Sequence, residues 1–276
     1  MFDLHVHAGP DVVPRLGNDA EIGEMYQQAR FSGFVLKAHY ESTVGRAAAL
    51  AALTGLEVSG GLALNQHVGG INPEAVHAAL AAGARVIWMP TADSHTQATA
   101  RLPRLCCGEA RLGRHTYALP PVDDLVTEQL KKILEMIGEA DAVLATGHVS
   151  ESEVAWLLDQ APVHGIRRLL LTHPGYTVPG IAAKHVRQFC EATGAMAEIT
   201  FYQLLRQPGY GVAALAGYIL DVGLENCVLS SDAGQPDSPP PPEALDQLVD
   251  ALATQGLDRG ALVAAASQRP SELVNK

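Results

Sequence analysis

A chain of 276 residues with 47% hydrophobic side chains can bury a sizeable core, which excludes general disorder. Its net charge of −11 argues against a nucleic-acid partner, because neutralising phosphates takes a basic surface. No apolar run approaches the roughly 18 residues of a membrane span, and the N-terminus lacks the basic-then-apolar order of a signal peptide. The expectation is a cytoplasmic protein with no membrane partner. Its cysteines Cys106, Cys107, Cys190 and Cys227 show no C-x-x-C spacing and read as free thiols of a reducing compartment.

The first apolar run, "FDLHVH" at 2–7, alternates Phe2, Leu4 and Val6 with Asp3, His5 and His7. As a strand, its period of two sends all three polar side chains to one face. A buried face with a carboxylate and two imidazoles is costly unless something binds there. A helix-like stretch follows at 20–31. The alternation then repeats: "GFVLKAH" at 33–39 and a helix over 42–54, "LEVSGGLAL" at 56–64 and a helix over 72–82, "ARVIWMP" at 84–90 and, after a long loop at 91–123, a helix over 124–139. The second half gives "DAVLATGH" at 141–148 with a helix at 150–163, and "RRLLLTH" at 167–173 with one at 179–192. "AMAEITF" at 195–201 precedes a helix at 210–222, and "NCVLSSD" at 226–232 precedes one at 243–255. A last helix over 258–274 closes the chain. Ser42, Asn72-Pro73 and Ser150-x-x-Glu153 supply helix starts.

Apolar runs alternating with helices imply parallel strands with helices outside, and eight units point to a closed (β/α)8 TIM barrel, one domain over residues 1–276. The loop at 91–123 and the proline-rich "GQPDSPPPPE" at 234–243 lie on the carboxyl side of strands, where such a barrel keeps its chemistry. At that same end, four runs terminate in metal-competent residues. His5 and His7 end the first, His148 the fifth, His173 the sixth and Asp232 the eighth. Barrel closure would gather them around one mouth. Imidazole and carboxylate suit zinc, iron, nickel or manganese.

With those residues in place, the chain resembles the amidohydrolase superfamily of metal-dependent hydrolases, along nearly its whole length. In that family, H-x-H on strand one, His on strands five and six and Asp on strand eight form the metal centre. The tail "GLDRGALVAAASQRPSELVNK" is similar to the helix after the last strand in many members. A first run beginning at residue 2 is expected to place the chain in a compact branch without the small β-sandwich, like the phosphotriesterase-like and decarboxylase-like enzymes. The resemblance implies His5 and His7 as ligands of the more buried ion. It implies His148 and His173 as ligands of that ion or a second one, with His173 alternatively a nearby acid. Asp232 would touch the metal and take the proton of its water. The expected cofactor is a divalent metal, zinc foremost, as one ion or two. A homo-oligomer fits too, since such barrels form dimers.

One departure concerns the bridging carboxylated lysine or glutamate that two-metal members carry on strand four or three. Here "VIWMPTADSH" has neither, which favours a single ion. Lys37, with His39 on the same face, reads as substrate-binding or, if carboxylated, as a substitute ligand. Glu198 could supply oxygen to a metal or balance Lys37. Asp93 and His95 could at most face the substrate. Residues 101–115 of the loop carry Arg101, Arg104, Arg111 and Arg114 against Glu109 alone, and Arg15 follows the H-x-H pair. Of these, Arg15 and Arg114 are the expected clamps for an anionic small-molecule substrate. Three functions are consistent with these residues: hydrolysis of an amide, lactone or ester by metal-activated water, metal-dependent non-oxidative decarboxylation, and a non-catalytic metal-containing binding barrel.

Overall fold

The computed structural model describes residues 1–100, 102 and 115–275. Eight parallel strands run in sequence order: β1 (Phe2–Val6), β2 (Gly33–Leu36), β3 (Glu57–Ala63), β4 (Val86–Trp88), β5 (Val143–Ala145), β6 (Leu169–Leu171), β7 (Met196–Thr200) and β8 (Cys227–Ser230). β8 returns to β1 through backbone bonds from Asp232 N–H to His5 O and from His7 N–H to Ala233 O, each 2.9 Å, so the sheet closes as a barrel. The (β/α)8 expectation holds. Among the described residues, no helix is long and apolar enough to cross a membrane.

Two apolar layers follow from strand alternation. Phe2, Leu4, Val35, Ala63, Val86, Trp88, Val143, Ala145, Leu170 and Val228 fill the barrel. Val6, Phe34, Leu36, Leu62, Ile87, Leu144, Leu171, Ile199 and Leu229 point outward into the helix layer. The principal helices span Asp19–Gln28, Val44–Thr54, Pro73–Ala81, Thr127–Glu139, Glu151–Gln160, Ala183–Thr193, Val212–Val222 and Pro241–Thr254. Two of the expected helix starts are built as read. The Asn72 side chain accepts from Glu74 and Ala75 N–H with Pro73 in the first turn, and Ser150 with Glu153 forms a reciprocal capping box. The helix after β2 begins at Val44, with Thr43 rather than Ser42 at its cap. The closing helix is two pieces, Arg259–Ala265 and Gln268–Val274, with Ser267 between them outside helical geometry.

β1 corrects the expected face of Asp3. Phe2 pairs with Gly33 and Asp3 with Phe34, but Val6 pairs with Leu36, so Leu4 and His5 together oppose a single residue. This β-bulge shifts the phase by one. Leu4 and His5 both face the barrel interior, whereas Asp3 turns to the helix layer, away from the two histidines. There its carboxylate accepts from Tyr26 OH at 2.7 Å and from Ser231 N–H at 3.0 Å and His5 N–H at 3.2 Å, the backbone groups the bulge leaves over. Burial outweighs these donors and raises Asp3 to about 6. Asp3 thus ties the β1–β8 seam and is not part of the mouth.

Candidate metal centre

The mouth is built by continuing each strand's inward phase past its last residue. Val35 leads to Lys37 and His39, Met196 to Glu198, and Val228 to Ser230 and Asp232. His148 and His173 are out of phase and need a backbone reversal. Gly147 (φ 65°) supplies it before His148. A Cβ on Gly147 would sit 2.3 Å from Met89 O, so no other residue fits there. His173 itself takes φ 26° and Asp232 φ 48°, left-handed values that cost free energy for side chains of this kind. Gly234 (φ 121°) lets the loop after β8 press on β1, where a Cβ would lie 1.9 Å from His7 O.

His5, His7 and Asp232 converge: one nitrogen or oxygen of each lies within 4.8 Å of the others. The distances to Asp232 Oδ1 are 3.0 Å from His5 Nε2 and 3.3 Å from His7 Nε2. All three residues are buried. His148 and His173 stand beside this group rather than within it. Their rings are 4.7 Å apart, and the His173 ring stacks 6.2 Å from that of His5. His148 Nε2, His173 Nδ1 and His7 Nδ1 are buried with no hydrogen-bond partner among the described residues. Such orphaned lone-pair or N–H atoms are rare without a ligand. The donor set of imidazoles and a carboxylate therefore fits a divalent cation.

Glu198 balances the buried Lys37 charge, as one of its two expected roles has it, but its hydrogen bonds go elsewhere. Its Oε1 accepts from His5 Nδ1–H at 3.0 Å and from Ser230 Oγ–H at 2.7 Å, and its Oε2 accepts from His173 N–H at 3.3 Å. It orients His5 from behind, leaving Nε2 as the lone-pair nitrogen at the mouth. Burial pushes Glu198 up, but the nearby His5, His173 and Lys37 and the His5 hydrogen bond outweigh it and hold the carboxyl at about 2. Lys37 Nζ donates to that same His5 Nε2 at 3.0 Å and lies 5.2 Å from the Trp88 ring centroid. Burial lowers Lys37 to about 8 against the attraction of Asp232 and Glu198. Burial likewise pushes His7, His39 and His148 well below their ordinary range and His173 to about 4, so these rings are neutral lone-pair donors at neutral pH.

Four polar residues carry no mark in the sequence. Ser94 caps the short helix His95–Thr99 by accepting from Gln97 N–H, and Gln97 Oε1 then accepts from His148 Nδ1–H at 3.1 Å. Thr91 and Asn65 stand behind His39. Asp93 accepts from Gln66 N–H at 2.9 Å, and His95 is exposed; neither lines the mouth. Arg101, Arg104, Arg111, Arg114, Cys106 and Cys107 lie outside the described residues. Cys190 and Cys227 are free and buried, with thiols pushed up by burial.

Above the metal-competent group opens a cavity of about 470 Å³. Lys37, Arg15 and Arg206 line it against Asp232, the lone carboxylate among the described lining residues, while Tyr176, Tyr202, Pro14 and Pro236 make its outer wall. Arg15 is largely buried. Its Nε and one Nη hold Asp11 Oδ2 at 2.7 and 2.6 Å, which fixes the guanidinium in place.

The profile of a family of unknown function (DUF6282) matches residues 1–198, and the chain belongs to that family. A search of curated proteins finds no match. Among solved structures the chain is similar to a protein of Agrobacterium tumefaciens at 18% identity, covering 99% of this chain and 94% of that one with a TM-score of 0.60. It is similar to an amidohydrolase from Pseudomonas aeruginosa at 8% identity, 99% and 95% coverage and a TM-score of 0.65. It is also similar to a 2,6-dihydroxybenzoate decarboxylase from Rhizobium at 12% identity, 99% and 98% coverage and a TM-score of 0.58. At these identities the likeness is one of fold: the chain has the same compact single barrel as these structures.

Proposed function

We propose that this chain is a metal-dependent hydrolase that uses activated water on an amide, lactone or ester of a small anionic molecule. The observation that carries the reading is the convergence of His5 Nε2, His7 Nε2 and Asp232 Oδ1 at the floor of a cavity whose other charged lining residues, among those described, are the cations Arg15, Lys37 and Arg206. Relatives in fold that are named as an amidohydrolase and a decarboxylase support an enzyme of this superfamily. A divalent ion, with zinc the first choice, would be held by His5, His7 and Asp232 with His148 or His173. When bound, it would bring a water of pKa near 7 and a Lewis acid for the substrate oxygen.

The protein's own groups do the rest. Glu198 fixes the His5 ring, and Gln97 fixes His148. Asp232, on the cavity wall, receives the proton of the attacking water. His173, which burial keeps a neutral lone-pair donor at neutral pH, is one of the two candidates for the remaining ligand. Arg15 and Lys37 give the cavity the positive field that selects an anionic substrate.

A second reading, decarboxylation, gains from β4, which ends without lysine or glutamate, and from Glu198, which is committed to His5. This leaves a carboxylated Lys37 as the substitute bridge for a second ion. Assaying the zinc- and manganese-loaded protein on anionic amides, lactones and esters and on aromatic carboxylic acids separates the two. Hydrolysis products support the proposal, whereas carbon dioxide release without hydrolysis replaces it with the second reading.

A further inference from the structure

The imidazoles of the mouth differ in what holds the ring nitrogen that faces away from it. His5 gives its Nδ1 proton to Glu198 and His148 gives its own to Gln97, so each turns an Nε2 lone pair inward. His39 is wired in the opposite sense. Its Nδ1 lies 2.8 Å from Thr91 Oγ1. That hydroxyl already accepts from Asn65 Nδ2 at 2.7 Å. The Asn65 amide is not free to flip. Its Oδ1 accepts from Thr91 N–H at 3.0 Å and Asp93 N–H at 3.1 Å, and its Nδ2 also donates to His39 O at 2.7 Å. With Asn65 donating to it, the buried Thr91 hydroxyl has His39 Nδ1 as the acceptor for its own proton, with no other among the described residues. His39 Nδ1 is therefore the lone-pair nitrogen, and Nε2 carries the hydrogen into the cavity that the ring lines.

We propose that His39 is the hydrogen-bond donor of this site, a neutral imidazole that offers Nε2–H to an oxygen of the substrate, and that it is not a metal ligand. Its ring lies 5.1 Å from His7 and 6.3 Å from His148, centroid to centroid, so the donor stands beside the metal-competent residues. Thr91 and Asn65 are positioning residues, acting through the tautomer they enforce. The chemistry recognised is an oxygen with lone pairs, a carboxylate or a reacting carbonyl, placed next to the ion. This assignment rests on the proposed function only in taking the cavity as the substrate site.

The test is nitrogen-15 NMR of histidine-labelled full-length protein, with the His39 resonances assigned by their loss in His39→Gln. The expected result is a lone-pair Nδ1 and a protonated Nε2, with Nε2 moving as benzoate is added to the zinc-loaded protein. His39→Ala should keep the wild-type zinc content and weaken benzoate by about 10- to 100-fold, the size of a hydrogen bond to a charged acceptor. His39→Gln, whose amide can donate from a similar position, should recover most of that loss. Thr91→Val should lose part of it, and Thr91→Ser should restore it. A proton on Nδ1, an Nε2 resonance unmoved by benzoate, or loss of zinc in His39→Ala would each overturn the assignment. A wild-type protein that takes up no zinc while His39 shows the expected tautomer would refute the metal reading and leave the tautomer standing.

Discussion

Glu198→Gln keeps the size of a buried side chain and removes its charge. In the native site the carboxylate receives three donors: His5 Nδ1, Ser230 Oγ and His173 N. An amide can accept on one atom only, and its NH2 then faces at least one of those donors. Hydrogen bonds to a charged acceptor contribute about 1.5–3 kcal/mol and neutral ones about 0.5–1.5, so about 1 kcal/mol is lost per retained bond, with a further 1–3 for a buried donor left unpaired. The His5 ring also becomes a weaker ligand once the carboxylate behind it is gone. Loss of such an orienting partner typically weakens metal binding by roughly 10- to 100-fold, equivalent to about 1.4–2.7 kcal/mol. Competition against a zinc-chelating dye at neutral pH measures this directly. Thermal unfolding of the chelator-treated protein separates it from the stability cost. A variant that binds zinc within twofold of wild type would refute the orienting role of Glu198. The carboxyl, held at about 2 in the fold against an ordinary 4.5, also contributes stability that is complete above pH 4.5 and is lost as pH falls toward 2. That acid-limb component should be missing in Glu198→Gln.

Asp3 has the opposite linkage. Its folded pKa is raised from 3.8 to about 6, so the fold holds this proton to higher pH than the unfolded chain and loses stability as pH rises from about 4 to 6. Asp3→Asn should abolish that decline and exceed wild type by up to roughly 3 kcal/mol at pH 7 in denaturant titrations; an unchanged slope would contradict the account. Lys37→Met removes a cation that sits on the His5 lone pair and should tighten zinc by at least about tenfold, since like charges a few ångströms apart repel by several kcal/mol even when screened. A loss of bound zinc in Lys37→Met would instead make Lys37 part of the ligand set. Arg15→Met should raise KM for anionic substrates by roughly 10- to 100-fold and leave uncharged analogues near wild type, from the loss of a charge-assisted contact. Equal effects on both classes would remove Arg15 from substrate selection.

How much of this was legible in the sequence depended on whether the signal was local. The H-x-H pair and the polar residues ending four separate apolar runs marked the mouth, because strand ends on one side of a closed barrel must meet. Asp3 reads as facing the mouth because a period of two carries no trace of a bulge, which is settled by pairing β1 with β2. Glu198 was visible as a polar residue inside an apolar strand, but its commitment to His5 lies 193 positions away in sequence. Gln97, Thr91 and Asn65 are uncharged loop residues with no spacing that distinguishes them from ordinary turn formers. Their importance arises from which histidine nitrogen they occupy. The broken closing helix has a nearby cue in Pro270, which lies within the first turn of its second piece.

Whether the mouth holds a metal ion is decided by elemental analysis of metal per chain, on protein purified without chelator or histidine tag and then dialysed against zinc or manganese. About one equivalent per chain is expected, lost in His7→Ala and Asp232→Ala and retained in Asp3→Asn. A folded wild-type protein that stays metal-free through dialysis against both ions would contradict it.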